Sequence, residues 1–225
     1  MNLLIINGFM DYDNVFYYFN KYYESEFKIT NININKMNDK QITSKLIGLS
    51  NEPIIVITWS MGIYYLYKYM DLIYQNISKI IFINPFIKSH YNTAIENINY
   101  LNRDYKSFFK NFNKRLYSKK ILKEDKKLIN KLKEDLKNLN FKDLSILNKN
   151  LNYLKNNCLD LISNIKKYKY KNKEIIIWGS NKDKIASYKD SLLLKELIKN
   201  STLILLENKS HGFIYEEFRK VNYDR

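Results

Sequence analysis

Short apolar runs alternate with longer amphipathic stretches over most of this chain. Leu3 to Ile6, Pro53 to Thr58, Lys79 to Ile83 and Glu174 to Trp178 read as buried strands, with Thr202 to Leu206 as a fifth. Near-continuous apolar strands suit a parallel sheet covered on both faces. Between them lie stretches of helical length, among them Asn14 to Tyr23, Met61 to Tyr74 and Tyr188 to Lys199. That alternation predicts an α/β fold with a mostly parallel central sheet flanked by helices. From about Tyr91 to Tyr170 the rhythm breaks. No strand is evident there, and several Lys-rich amphipathic helices are predicted. The expected organisation is one core, residues 1–90 and 171–225, with a helical cap inserted at 91–170.

A chain of 225 residues can bury one full core. With 45% hydrophobic and 15% aromatic residues it has enough apolar surface to offset the entropy of folding, which excludes a disordered protein. A single cysteine, Cys158, excludes an intramolecular disulfide and any cysteine-built zinc site. No apolar run reaches the roughly 18–20 residues of a membrane span, and the N-terminus has no basic segment or cleavage site of a secretory signal. A soluble, cytoplasmic, monomeric protein is expected.

The net charge is +15, and its placement matters more than its size. The 40 residues from Arg103 to Lys142 hold 14 Lys or Arg and 5 Asp or Glu, a net +9. Such a stretch can steer an acidic partner or be a solvated helix face. Nucleic acid is the less apt partner, because no helix-turn-helix, zinc or RNA-binding signature accompanies the charge.

The chemistry gathers at strand ends. The strand of Glu52-Pro-Ile-Ile-Val-Ile-Thr-Trp-Ser-Met-Gly62 runs through a sharp turn into a helix, the arrangement of a nucleophile elbow with Ser60 at its apex. Gly62 supplies one small flanking residue, and Thr58 stands where a second glycine is usual. The alternative for Ser60 is a helix cap. A serine nucleophile needs a base and a residue that orients the base. His211, in Asn-Lys-Ser-His-Gly-Phe after the last strand, is the candidate base, with His90 the weaker competitor. Asp183, in the turn after Glu174 to Trp178, is the candidate orienting acid, with Asp190 the fallback. The order Ser, Asp, His is that of an α/β-hydrolase triad. The loop Asn7-Gly8-Phe9 follows the first strand, so the N–H groups of Phe9 and Met61 are the candidate oxyanion hole.

These four segments, Asn7-Gly-Phe9, Thr58-Trp-Ser-Met-Gly62, Gly179-Ser-Asn-Lys-Asp183 and Ser210-His-Gly212, resemble the α/β-hydrolase superfamily across essentially the whole chain. Within it the chain is most similar to the pimeloyl-acyl-carrier-protein methyl ester esterases of biotin synthesis, in the Trp-Ser-Met-Gly elbow, the triad spacing and the cap opening with Arg103-Asp-Tyr-Lys-Ser-Phe-Phe-Lys-Asn-Phe112. Asn7 stands where that family often has histidine.

The resemblance implies a serine esterase needing neither metal nor cofactor, and a methyl ester delivered on acyl carrier protein. It places Phe9, Trp59, Phe108, Phe109 and Phe112 along the acyl channel, although ordinary core packing uses the same phenylalanine spacing. Arg103, Lys106, Lys110 and Arg115 become candidates for carrier docking. A small-ester carboxylesterase or thioesterase, or a non-catalytic binding protein on the same scaffold, are the alternatives.

Overall fold

The structure, a computed structural model, describes residues 1–49, 51–87, 91–157 and 159–223. His90 and Cys158 lie outside the described residues. Six parallel strands form one sheet: β1 (Asn2–Ile6), β2 (Lys28–Ile32), β3 (Ile54–Trp59), β4 (Ile77–Ile83), β5 (Glu174–Ser180) and β6 (Thr202–Leu206). Their spatial order is β2-β1-β3-β4-β5-β6. The chain moves outward from β1 to β2, then returns past β1 to β3, so the order reverses between β1 and β3. Loops at the carboxyl ends of those two strands diverge there and leave a crevice, the usual place for a site in an open parallel sheet.

β2 is the strand that hydrophobic patterning misses. Lys28-Ile-Thr-Asn-Ile is half polar because it lies at the sheet edge, where only Ile32 is fully covered. The helix after it, α2 (Asp39–Ile47), buries only Ile42 and Leu46 and opens on a capping box between Asn38 and Gln41. Local capping, more than apolar periodicity, defines it.

Side-chain alternation divides the core into two layers. Leu4, Ile6 and Val56 face one layer with α3 (Gly62–Ile73), α9 (Asp160–Lys167) and α10 (Tyr188–Leu197). Leu3, Ile5, Ile57 and Trp59 face the other, beneath α1 (Tyr17–Tyr23) and α11 (Phe213–Tyr223). Helices on both faces are what near-continuous apolar strands require.

Residues 91–170 are helical: α4 (Tyr91–Arg103), α5 (Tyr105–Leu116), α6 (Lys119–Glu124), α7 (Lys126–Asn138), α8 (Phe141–Asn157) and α9. The region is not an independent lobe. Leu101, Phe108, Leu147, Leu151 and Leu154 belong to the same apolar cluster as Leu4 and Val56 of the sheet. A buried polar link fixes it further. Tyr65 of α3 donates its hydroxyl to Asn150 Oδ1 at 2.6 Å, and Asn150 Nδ2 donates to the Ile34 carbonyl at 3.0 Å. Replacing Asn150 by leucine leaves a phenol and a carbonyl buried without partners, each costing about 1–3 kcal/mol. Asn150→Leu is expected to lose about 2–4 kcal/mol in denaturant unfolding; a loss under about 0.5 kcal/mol contradicts the packing described.

Candidate active site

Strand β3 hands over to helix α3 within two residues. Ser60 sits at the turn with φ of 55°, in the left-handed region that a side chain adopts only under constraint. Its N–H donates to the Ile83 carbonyl of β4 at 3.0 Å, and its carbonyl accepts from Phe86 N–H at 3.4 Å. Two glycines admit the close approach. A Cβ on Gly62 would lie 2.4 Å from the Ile6 carbonyl oxygen, and one on Gly8 would lie 2.6 Å from the Trp59 ring and 2.9 Å from Ser60 Cβ. Thr58 is enclosed in the sheet, opposite Ile6 and Phe82.

His211 is completely buried. Its Nδ1 lies 2.5 Å from Asp183 Oδ2, and neither side chain reaches solvent. An ionised carboxylate only accepts, so Nδ1 carries the proton in this pair and the neutral ring keeps its lone pair on Nε2. Nε2 has no partner. The other Asp183 oxygen accepts from the N–H groups of Ile185 and Ala186 at 2.7 and 2.8 Å, which fixes the carboxylate in its turn. The fallback acid Asp190 faces elsewhere and accepts from Ile87 N–H at 3.1 Å.

The loop bearing the histidine is held from three sides. The His211 carbonyl accepts from Trp59 Nε1 at 3.0 Å and from Asn84 Nδ2 at 3.1 Å. The imidazole packs on the Trp59 indole, with ring centroids 4.8 Å apart. Gly212 N–H donates to the Leu116 carbonyl at the end of α5 at 2.8 Å, and Ser180 Oγ donates to the Lys209 carbonyl. Asn84, itself left-handed at φ of 43°, carries no motif that would single it out in the sequence.

The loop after β1, which carries the candidate oxyanion amide of Phe9, is held by Asn35. Asn35 Nδ2 donates to the carbonyls of Gly8 and Asp11 at 2.9 and 3.1 Å, and its Oδ1 accepts from Met10 N–H at 2.9 Å. Neither Phe9 N–H nor Met61 N–H has a protein acceptor among the described residues.

A cavity of about 110 Å³ opens over Ser60. Phe9, Met61, Phe86, Phe108, Phe112 and Leu151 give it apolar walls, and Asn97, Tyr100, Asn111 and Arg115 its polar ones. The structure therefore brings Ser60, Phe9, Met61, Phe108 and Phe112 together. Trp59 and Phe109 do not line this cavity. Strand alternation turns Trp59 to the α1 and α11 side, where it supports His211, and Phe109 rotates away from Phe108 on α5 to pack near Tyr12. Arg115 lies at the cavity, while Arg103 rests on the Tyr100 ring, Lys106 on Tyr105, and Lys110 borders a separate groove. No three His, Cys, Asp or Glu side chains converge on a metal-sized space among the described residues, and no helix there is long and apolar enough to cross a membrane.

Asp11 anchors the same loop from within the core. One carboxylate oxygen accepts from Asn14 and Val15 N–H at 2.8 and 3.1 Å, and the other is buried without a partner among the described residues. Burial pushes this carboxyl up to about 7, with nearby Asp13 adding to the effect. Between about pH 4 and 7 the folded chain holds a proton that the unfolded chain has released, so stability falls as pH rises through that window. Asp11→Asn keeps the accepting oxygen and removes the titration. The wild type is expected to lose roughly 1 kcal/mol per pH unit relative to this variant from pH 5 to 7 in urea unfolding. A difference that does not change with pH contradicts the assignment.

Searches of family models and of curated sequences return no match. Solved structures do match. An esterase from Exiguobacterium antarcticum superposes with a TM-score of 0.78 at 15% identity, covering 100% of this chain and 90% of that one. MenH from S. aureus gives 0.74 at 13% identity over 100% and 91%. The enol-lactonase from Burkholderia xenovorans gives 0.69 at 12% identity over 99% and 89%. At such identities the likeness is one of fold, and it spans the cap as well as the sheet: the chain has the α/β-hydrolase fold.

Proposed function

We propose that the protein is a serine hydrolase of carboxylic esters. The buried Asp183–His211 pair carries this reading, because among the described residues it leaves Nε2 of His211 without a partner, on a ring packed against Trp59, the residue before Ser60. In this mechanism Nε2 takes the Ser60 proton as Oγ attacks the ester carbonyl. The N–H groups of Phe9 and Met61 receive the developing oxyanion, an effect of about 3 kcal/mol per donor. His211 then returns the proton to the leaving alkoxide, the acyl–oxygen bond breaks, and an alcohol departs. Water activated by the same nitrogen hydrolyses the acyl-enzyme.

Two substrate classes fit this chemistry. The motif resemblance points to a pimeloyl methyl ester carried on acyl carrier protein. The basic helices from Arg103 to Lys142, with Lys106 and Lys110 exposed, suit an acidic carrier, whose attraction would weaken as salt rises. A small free ester is favoured by the modest size of the cavity. Cleavage of a carrier-bound acyl methyl ester more than about tenfold faster than of the free ester at low salt, with the advantage shrinking at 0.5 M salt, selects the first class, since screening is nearly complete there.

The reading itself is tested by covalent labelling. A fluorophosphonate is expected to add once to the wild-type chain and not at all to Ser60→Ala, as seen by intact mass. Failure to label either protein contradicts a serine hydrolase and favours a binding protein on this scaffold.

A further inference from the structure

Arg115 is the only charged residue lining the cavity over Ser60 among the described residues. It stands near the end of α5, and the ion pairs of the described residues include no carboxylate partner for it. Its guanidinium is nevertheless held in place. Nε and Nη2 both donate to the Lys184 carbonyl, at 3.0 and 2.5 Å, next to the turn that holds Asp183. A guanidinium has five N–H donors, so three remain, in a fixed orientation. A second donor is close by. Tyr100, on the same cavity wall, accepts from Asn111 Nδ2 at 2.6 Å, and its own O–H remains to donate.

A largely apolar cavity whose one charged wall residue is an arginine with no carboxylate partner among the described residues has the chemistry of a carboxylate pocket. Arginine is weakly hydrated and binds carboxylates through paired, charge-assisted bonds. We propose that Arg115, assisted by Tyr100, recognises an ionised carboxylate at the far end of the acyl chain, so that the preferred substrates are free half-esters of short dicarboxylic acids. One carboxyl is esterified and is attacked by Ser60; the other is ionised and rests on Arg115. The products are an alcohol and the dicarboxylate. The inference rests on the ester-hydrolase reading and narrows it to the free-substrate class, since an acyl chain tethered to a carrier has a thioester at that end.

The test compares monomethyl succinate, glutarate and adipate with the neutral methyl esters of butyric, pentanoic and hexanoic acid. In the wild type at least one half-ester is expected to exceed its neutral partner in kcat/KM by about 10-fold or more, the worth of one charge-assisted contact. Arg115→Gln is expected to collapse that ratio, and Arg115→Lys to restore part of it. A purely structural role through the Lys184 carbonyl would slow both esters alike and leave the ratio unchanged, which would overturn the proposal. So would a wild type that cleaves only neutral or carrier-bound esters. A binding arm separates this failure from failure of the hydrolase reading. Calorimetry of Ser60→Ala with monomethyl glutarate is expected to show binding that Arg115→Gln removes. Binding without turnover by the wild type sinks the hydrolase and keeps the anion pocket; absence of binding sinks the pocket.

Discussion

The turn between β3 and α3 is strained, and the surrounding structure pays for that strain. A residue with a side chain held at φ of 55° costs about 1–3 kcal/mol and persists only where neighbours leave it no alternative. Here the neighbours are specific. β4 takes the Ser60 N–H, Gly62 lets α3 start against the end of β1, and Gly8 lets the loop after β1 close over Trp59. The reversal of strand order between β1 and β3 puts both loops at one crevice. The placement of the serine, the two candidate oxyanion amides and the cavity follows from this handover.

His211 is positioned by a different device. Trp59, directly before the serine, projects to the opposite face of the sheet, and there it packs on the imidazole and holds the His211 carbonyl. Trp59 at the end of β3 and Ser60 in the turn after it are thus chain neighbours, the one supporting His211 and the other lining the cavity. Asn84 at the end of β4 and Leu116 at the end of α5 complete the clamp. The cap takes part in it: the segment that ends α5 touches the histidine loop through Leu116 and the acid loop through Arg115. The end of α5 is thus built into the framework that holds His211 and Asp183.

The pairing of His211 with Asp183 and the sharp turn at Ser60 were legible in the sequence because each residue lies in a short polar turn directly after an apolar run, and such runs are what patterning detects. The α/β class and the helical stretch 91–170 followed from the same signal. β2 and α2 were not legible. An edge strand is half polar, and a helix defined by its cap and two buried residues has little periodicity. Parity explains the two displaced aromatics: Trp59 and Phe109 sit one position from residues that do face the cavity, and one position along a strand or helix changes the face. Asn35 and Asn84 carry no local signal, because their roles depend on partners far away in the chain. Arg115 was visible only as one more charge in a basic stretch; its place on the cavity wall came from the fold.

The proposed mechanism depends most on the buried Asp183 carboxylate holding the proton of His211 on Nδ1. Steady-state turnover of a short acyl ester by Asp183→Asn tests this directly. The amide occupies the same volume but can present its N–H to the ring, favouring the wrong tautomer. A fall in kcat of about 10⁴-fold with little change in KM is predicted by analogy with other triads. A variant within about tenfold of the wild type would show that Asp183 does not orient the base, and would contradict the triad on which this mechanism stands.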